Sequence, residues 1–350
     1  MVPAERKITT ILVTGIGGFL AGHIAQQLLE QGHAVRGTVR RIDTAPQIAA
    51  RLCRQLSGDK SRLEFAKADL CQDDGWAQAV EGCDYVIHTA SPFPAGLPTH
   101  EDDLVVPARD GALRVLRTAH EARVRRVVMT SSIAATNHGS GTPPFTEADW
   151  TDPHSPRATP YYKAKTLAER AAWEFARSNA LELAVINPGM IFGPLSGANF
   201  GTSIGLLLQL MNGKFRRLPR FGFPVVDVRD VADAHIKAIT HPAASGQRFL
   251  VAGKFLWLKD ISEILARDFP EYASRLPTKE MPDWLVRVMA TISPMSRMIV
   301  HELGRDLSVD SSKARRLLGW SSRDEAECIR AGVQSLIDLK LIKPTSKGSK

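Results

Sequence analysis

The sequence predicts an α/β fold, a doubly wound parallel sheet with a smaller, mostly helical C-terminal cap that binds the substrate. Three observations predict it. Short β-rich runs alternate with longer helical segments through the first two-thirds of the chain, as in sheets whose strands are joined by helical crossovers. A glycine-rich turn, TGIGGFLAG at 14–22, follows the first of these runs and opens a helix. Beyond residue 188 the alternation loosens into loops punctuated by Gly and Pro and into apolar helices, the part left to form a cap.

Taken in order, the strands are expected at 10–14, 34–39, 63–66, 84–88, 126–130 and 183–187, with a later strand-like run, QRFLVAG, at 247–253. Helices are expected near 18–31, 45–56, 74–81, 104–122 and 161–179, where apolar residues recur at helical spacing after Gly, Ser or Pro turns. The sheet domain should therefore run over 8–188 with contributions from about 225–253, the cap over 189–224 and 254–342, and 343–350 should be a disordered tail.

Composition narrows the class. The 350 residues carry 45 Lys+Arg against 37 Asp+Glu, a net charge of +8, with 44% hydrophobic and 23% charged residues, as in soluble globular proteins. No long basic run or nucleic-acid-binding signature accompanies the charge, so nucleic acid is not an expected partner. The segment 284–300 is interrupted by Arg287 and Arg297, so no membrane span is expected. Arg6 and Lys7 precede an apolar run that could pass for a secretory leader, but four glycines and three threonines within it fit a nucleotide loop better. Cys53, Cys71, Cys83 and Cys328 are too scattered for a disulfide framework or metal site. A cytoplasmic location and no metal are expected.

The glycine loop has a physical purpose. A dinucleotide pyrophosphate needs a tight turn, bare backbone and the N–H groups of a helix N-terminus. Gly15 and Gly18 supply the first two, and Ala21 stands where a third glycine is common. The end of the second strand then selects the dinucleotide: an acid about 20 residues on would bind the ribose of NAD. This chain has GTVRR there, with Arg36, Arg40 and Arg41 and no acid before Asp43. Guanidinium groups suit a 2′-phosphate, so NADP(H) is the expected cofactor. This is the Rossmann arrangement, and Asp69, Leu70 and Ala90 fall at the ends of the third and fourth strands, where ligands bind in such sheets.

Chemistry is expected at the fifth strand and the helix after it. TSS at 130–132 ends the strand, and YYKAK at 161–165 opens the helix. Tyr161 and Lys165 are four apart and share a helix face. A carbonyl that accepts hydride develops alkoxide charge and needs a proton; a phenol with a pKa of about 10 becomes a better partner beside an ammonium. A serine hydroxyl at the strand end can hold the substrate oxygen.

Together TGxxGF, HTASPF, TSS, YxxxK followed by LAE, NPGMIFGP, DVRDVADAH and SSKARRLLGW make the chain resemble the extended short-chain dehydrogenase/reductase superfamily. Within it the resemblance is to the dihydroflavonol-reductase-like branch, which includes microbial NADPH-dependent aldehyde and ketone reductases. The resemblance implies that Tyr161 is the acid/base, Lys165 its partner and Ser132 the third member. It implies cofactor contacts at Gly15, Gly18, Phe19, Leu20, Arg40, Asp69, Leu70, Ala90, Tyr161, Lys165 and Pro188, and substrate contact at Asn137. Ala164 stands where a serine is frequent, and no lysine follows Arg40 closely.

The expected activity is NADPH-dependent reduction of an aldehyde, ketone or dihydroflavonol-like carbonyl to an alcohol. A small molecule is the expected partner, and the chain is a monomer or homodimer. Phe93, Met190, Phe192, Leu206 and Phe223 suggest an apolar or aromatic substrate. Two alternatives use the same loop. One is an NAD-dependent sugar-nucleotide epimerase or dehydratase, supported by the basic loop Lys214, Arg216, Arg217 and Arg220; the other is a non-catalytic NADP-binding regulator.

Overall fold

A computed structural model describes residues 8–54, 56, 59–91, 100–197 and 199–343. Strands and helices take turns in its first part: β1 (Thr10–Thr14), α1 (Phe19–Glu30), β2 (Ala34–Val39), α2 (Ala45–Leu52), β3 (Leu63–Lys67), α3 (Trp76–Val80), β4 (Tyr85–His88), α4 (Asp102–Glu121), β5 (Arg126–Thr130), α5 (Pro160–Ser178) and β6 (Leu183–Pro188). The remainder comprises β7 (Met190–Phe192), α6 (Thr202–Met211), β8 (Leu218–Pro219), β9 (Gly222–Asp227), α7 (Val228–Thr240), β10 (Arg248–Val251), β11 (Phe255–Trp257), α8 (Leu258–Asp268), β12 (Glu280–Met281), α9 (Asp283–Met289), α10 (Pro294–Ile299), α11 (Ser312–Leu318) and α12 (Glu325–Asp338).

Seven strands form one parallel sheet in the order β10-β6-β5-β4-β1-β2-β3. The predicted doubly wound architecture is thus present. The chain winds outward in both directions from β1, and the crevice at that reversal, beyond the strand ends, is where such sheets hold ligands. Register sets Thr14 beside His88 and His88 beside Met129. The central strands are apolar on both faces, Val127 and Val128 for example being fully buried, because helices cover both sides.

One face is closed by α3, α4 and α5, the other by α1, α7 and α11. A third core holds the cap, where α6, α8 and α12 pack with β7 and β9. Two predicted helices are shorter than expected. The one near 74–81 starts only at Trp76, because Gly75 adopts φ +86° against the Lys67 carbonyl. The one expected to reach 56 ends at Leu52, its only buried residue. Lys343, expected to open a tail, is tied to the cap: its N–H donates to Asn212 Oδ1 at 3.0 Å and its carbonyl accepts from Arg275. The rest of that tail lies outside the described residues. No described helix is long and apolar enough to cross a membrane.

Candidate active site

The glycine loop sits between β1 and α1. Gly15 has φ +67°, and a Cβ there would meet the Ala90 Cβ at 3.0 Å, so the loop passes close to the end of β4 only as glycine. Gly18 precedes α1 and provides no side-chain cap, leaving the N–H groups of the first turn, with Phe19 and Leu20, to an outside acceptor. Those features fit a pyrophosphate. Arg51 and Asn199 both donate to the Gly17 carbonyl, at 3.1 and 2.9 Å, so the cap loop is stitched to the glycine turn.

At the end of β2 the three arginines part company. Arg40 and Arg41 are exposed, Arg41 lying 3.8 Å from Asp43. Arg36 is not with them. Its guanidinium is taken by Glu64 at 3.2 Å and by the carbonyl of Glu81 at 2.6 Å, so the expected three-arginine cluster reduces to Arg40 and Arg41. Asp69 is half-buried, its Oδ1 accepting from Cys71 N at 3.0 Å, and Leu70 packs against Gly111 of α4. Pro188 closes β6 and is buried.

Tyr161 and Lys165 lie on the first turns of α5, whose start is set by Thr159 accepting from Tyr162 N at 3.4 Å and by Pro160 at the first position. The Lys165 ammonium stands 6.0 Å from the centre of the Tyr161 ring and donates to Ser91 Oγ at 3.4 Å. Ser132 follows β5, and its Oγ accepts from Ala134 N at 3.1 Å. The structure separates the two serines of TSS: Ser131 gives its hydroxyl to Glu169 at 2.6 Å. Tyr162, offset from Lys165 by three residues, is turned away from it, stacked on His138 at 3.7 Å between ring centres; burial pushes its phenol well above the ordinary tyrosine range.

Two neutral histidines lie beneath these groups. Thr14 Oγ1 accepts from the N–H groups of Thr89 and Ala90, at 3.1 and 3.0 Å, so its own proton goes to His88 Nδ1 at 2.9 Å. His235 Nδ1 donates to the Val231 carbonyl at 2.7 Å, so its Nε2 accepts from Thr130 Oγ1 at 2.7 Å. Burial, with the Lys165 charge adding to it, lowers the His88 pKa to about 3; burial lowers that of His235 to about 4. A cavity of about 10 Å³, bordered by His88, Ser91, Thr130 and Lys165, leaves room for about one water under the ammonium.

The described residues expected at the substrate end differ in exposure. Phe93 lies outside the described residues. Asn137 is 1% exposed; it donates to the Leu307 carbonyl at 3.1 Å, and its Oδ1 has no protein partner. Met190 is half-buried on β7 beside Val225. Phe192 and Phe223 are core residues of the cap, 6.2 Å apart, whereas Leu206 is half-buried. In the basic loop, Arg220 is held by Asp283 at 2.8 Å and Arg217 reaches the Glu280 carbonyl at 3.5 Å. No cluster of three or more metal-ligating side chains occurs among the described residues. Glu169, Asn187 and Arg248, to which the motifs gave no role, meet behind Ser132; the signals were that Glu169 ends the LAE that follows YxxxK, four residues beyond Lys165, and that Asn187 opens NPGMIFGP.

Comparison with known proteins places these features in context. The family described as "NAD dependent epimerase/dehydratase family" matches residues 11–252. Cinnamoyl-CoA reductase 1 of Petunia hybrida is 40% identical over 274 residues, 77% of this chain and 79% of that protein. Ketoreductase azaE of Aspergillus niger is 32% identical over 94% of this chain and 97% of its own. The yeast methylglyoxal/isovaleraldehyde reductase Gre2, solved with NADPH, superposes with a TM-score of 0.78 at 26% identity, covering 96% of this chain and 100% of that one. The dinucleotide in that structure is the one expected here from the end of β2.

Proposed function

Because this chain belongs to the NAD dependent epimerase/dehydratase family, in the dihydroflavonol-reductase-like branch of the extended short-chain dehydrogenases/reductases, we propose that it reduces a small-molecule aldehyde or ketone with NADPH. The single observation that carries this reading is Tyr161 and Lys165 on one face of α5, with Ser132 at the end of the neighbouring β5. Reductases among the relatives and the NADPH of the yeast neighbour support it.

The glycine turn at 15–18, the start of α1, Arg40, Asp69, Leu70, Ala90 and Pro188 would hold the dinucleotide. When bound, it supplies the hydride. Ser132 donates a hydrogen bond to the carbonyl oxygen and holds it in place. Tyr161 keeps a proton at its Oη and delivers it to that oxygen as negative charge develops. Lys165 favours the phenolate left behind. Met190 and Leu206, half-buried beside the cap core, favour an apolar or aromatic group next to the carbonyl. A diphosphate clamp of the epimerase kind is less favoured, since Arg220 is already paired with Asp283.

Steady-state oxidation of NADPH with a panel of aldehydes, ketones and dihydroflavonols tests the reading. Tyr161→Phe should lower kcat at least about 100-fold, the usual range for a lost acid/base, while NADPH binding stays within twofold. Equal turnover by the variant and the parent would exclude this mechanism.

A further inference from the structure

Glu169 is fully buried, and an isolated carboxylate there would cost far too much to stay ionised. Four donors surround it. Oε2 accepts from Ser131 Oγ at 2.6 Å and Asn187 Nδ2 at 2.7 Å; Oε1 accepts from Arg248 Nε at 2.5 Å and Trp173 Nε1 at 3.2 Å. The partners of those partners converge on one segment. Asn187 Nδ2 also donates to the Ser132 carbonyl at 3.1 Å. Arg248 Nη2 donates to Thr136 Oγ1 at 2.9 Å, and its Nη1 to the carbonyls of Glu147 and Asp149, each at 3.0 Å.

We propose that Glu169 is a positioning residue for the reduction, locking the Ser132 segment to the helix that carries Tyr161 and Lys165. This rests on the reading of Ser132, Tyr161 and Lys165 given above. Those two helix residues and Glu169 are spaced by four, so all three project from one side of α5. The first two face the reacting atoms; the third holds the strand end from which Ser132 emerges. Stability alone is a weak reason for such a site, because a buried ion pair can often be exchanged for apolar residues without loss. Geometry is a stronger one: a misplacement of about 1 Å can cost about 100-fold in rate. The carboxylate also accepts only, so it draws the Ser131 hydroxyl away and leaves Ser132 as the serine of the pair for the carbonyl.

Glu169→Gln and Ser131→Ala in the full chain, assayed beside the parent and Tyr161→Phe, test this. Glu169→Gln should lower kcat by about 10-fold or more, leave the NADPH dissociation constant within twofold, and enlarge the isotope effect from deuterated NADPH as hydride transfer becomes more limiting. A purely structural role would lower the melting temperature without changing the isotope effect. Ser131→Ala, which keeps the Glu169–Arg248 pair, should show the same pattern with a smaller loss, and it decides the question alone if Glu169→Gln does not fold. Values of kcat within twofold of the parent in the folded variants would overturn the proposal, and would leave the functional reading standing if Tyr161→Phe is still inactive. A parent that reduces nothing in the panel would overturn both.

Discussion

Arg36 and Arg40 lie four residues apart near the end of β2, yet they meet different surroundings. Arg36 projects from within the strand onto Glu64 and the Glu81 carbonyl, while Arg40 stands exposed past its end. Arg40 and Arg41 are therefore the arginines left exposed there, and Arg40 is the one proposed to bind a 2′-phosphate. Arg40→Ala should raise the KM for NADPH by about 10- to 100-fold, the worth of a charge-assisted hydrogen bond of about 1.5–3 kcal/mol, with NADH changed less than about twofold. Equal weakening of both cofactors would show that Arg40 does not read the phosphate. The type and spacing of both residues were legible in the sequence, as were those of Tyr161, Lys165 and the glycines. Which arginine was already engaged was not, since Glu64 and Glu81 come from elsewhere in the chain. The same limit explains Phe192 and Phe223: an aromatic in an apolar run fits a pocket or a core equally well until its neighbours are known.

At the scale of elements, β4 and α7 each bury a neutral histidine under the site. Both have folded pKa values lowered from the ordinary 6.5, to about 3 for His88 and about 4 for His235. The unfolded chain takes up these protons below about 6.5 while the folded one does not. Stability should accordingly be constant above that pH and fall as pH drops toward 4, by up to about 1.4 kcal/mol per pH unit for each histidine. Urea unfolding from pH 7.5 to 4.5 measures the slope, and His235→Gln should make it shallower by about one proton. An unchanged slope would mean that His235 is protonated within the fold. The strands and helices themselves were readable from period, because a sheet covered on both faces demands unbroken apolar runs. The helix ends were less so, being set by contacts such as that of Gly75 with the Lys67 carbonyl.

Across the whole molecule, the cap is joined to the sheet domain beside the cofactor crevice. Asn199 donates to the Gly17 carbonyl at 2.9 Å, and His23 lies 2.9 Å from the Pro194 carbonyl. A dinucleotide seated on the glycine turn, as proposed, would stabilise a region to which both lobes contribute. NADPH at 100 times its dissociation constant should add about 2.7 kcal/mol to stability, seen as an upward shift in melting temperature that an equal concentration of NADH does not match and that Arg40→Ala cuts to about 0.4–1.4 kcal/mol at the same NADPH concentration. Equal shifts from the two cofactors would count against the 2′-phosphate site.

By itself the sequence determined the alternation of strands and helices, the glycine turn and the Tyr161–Lys165 pair, because each depends on residue type and local spacing. Family membership follows from the same motifs. Tertiary structure decided what depends on partners distant in the chain: that Arg36 is engaged, that Asn137 is buried against Leu307, and that Ser131 turns to Glu169 while Ser132 remains beside the helix of Tyr161. Hydrogen bonds and burial between residues far apart in sequence leave no period to read, so only the folded chain assigns them.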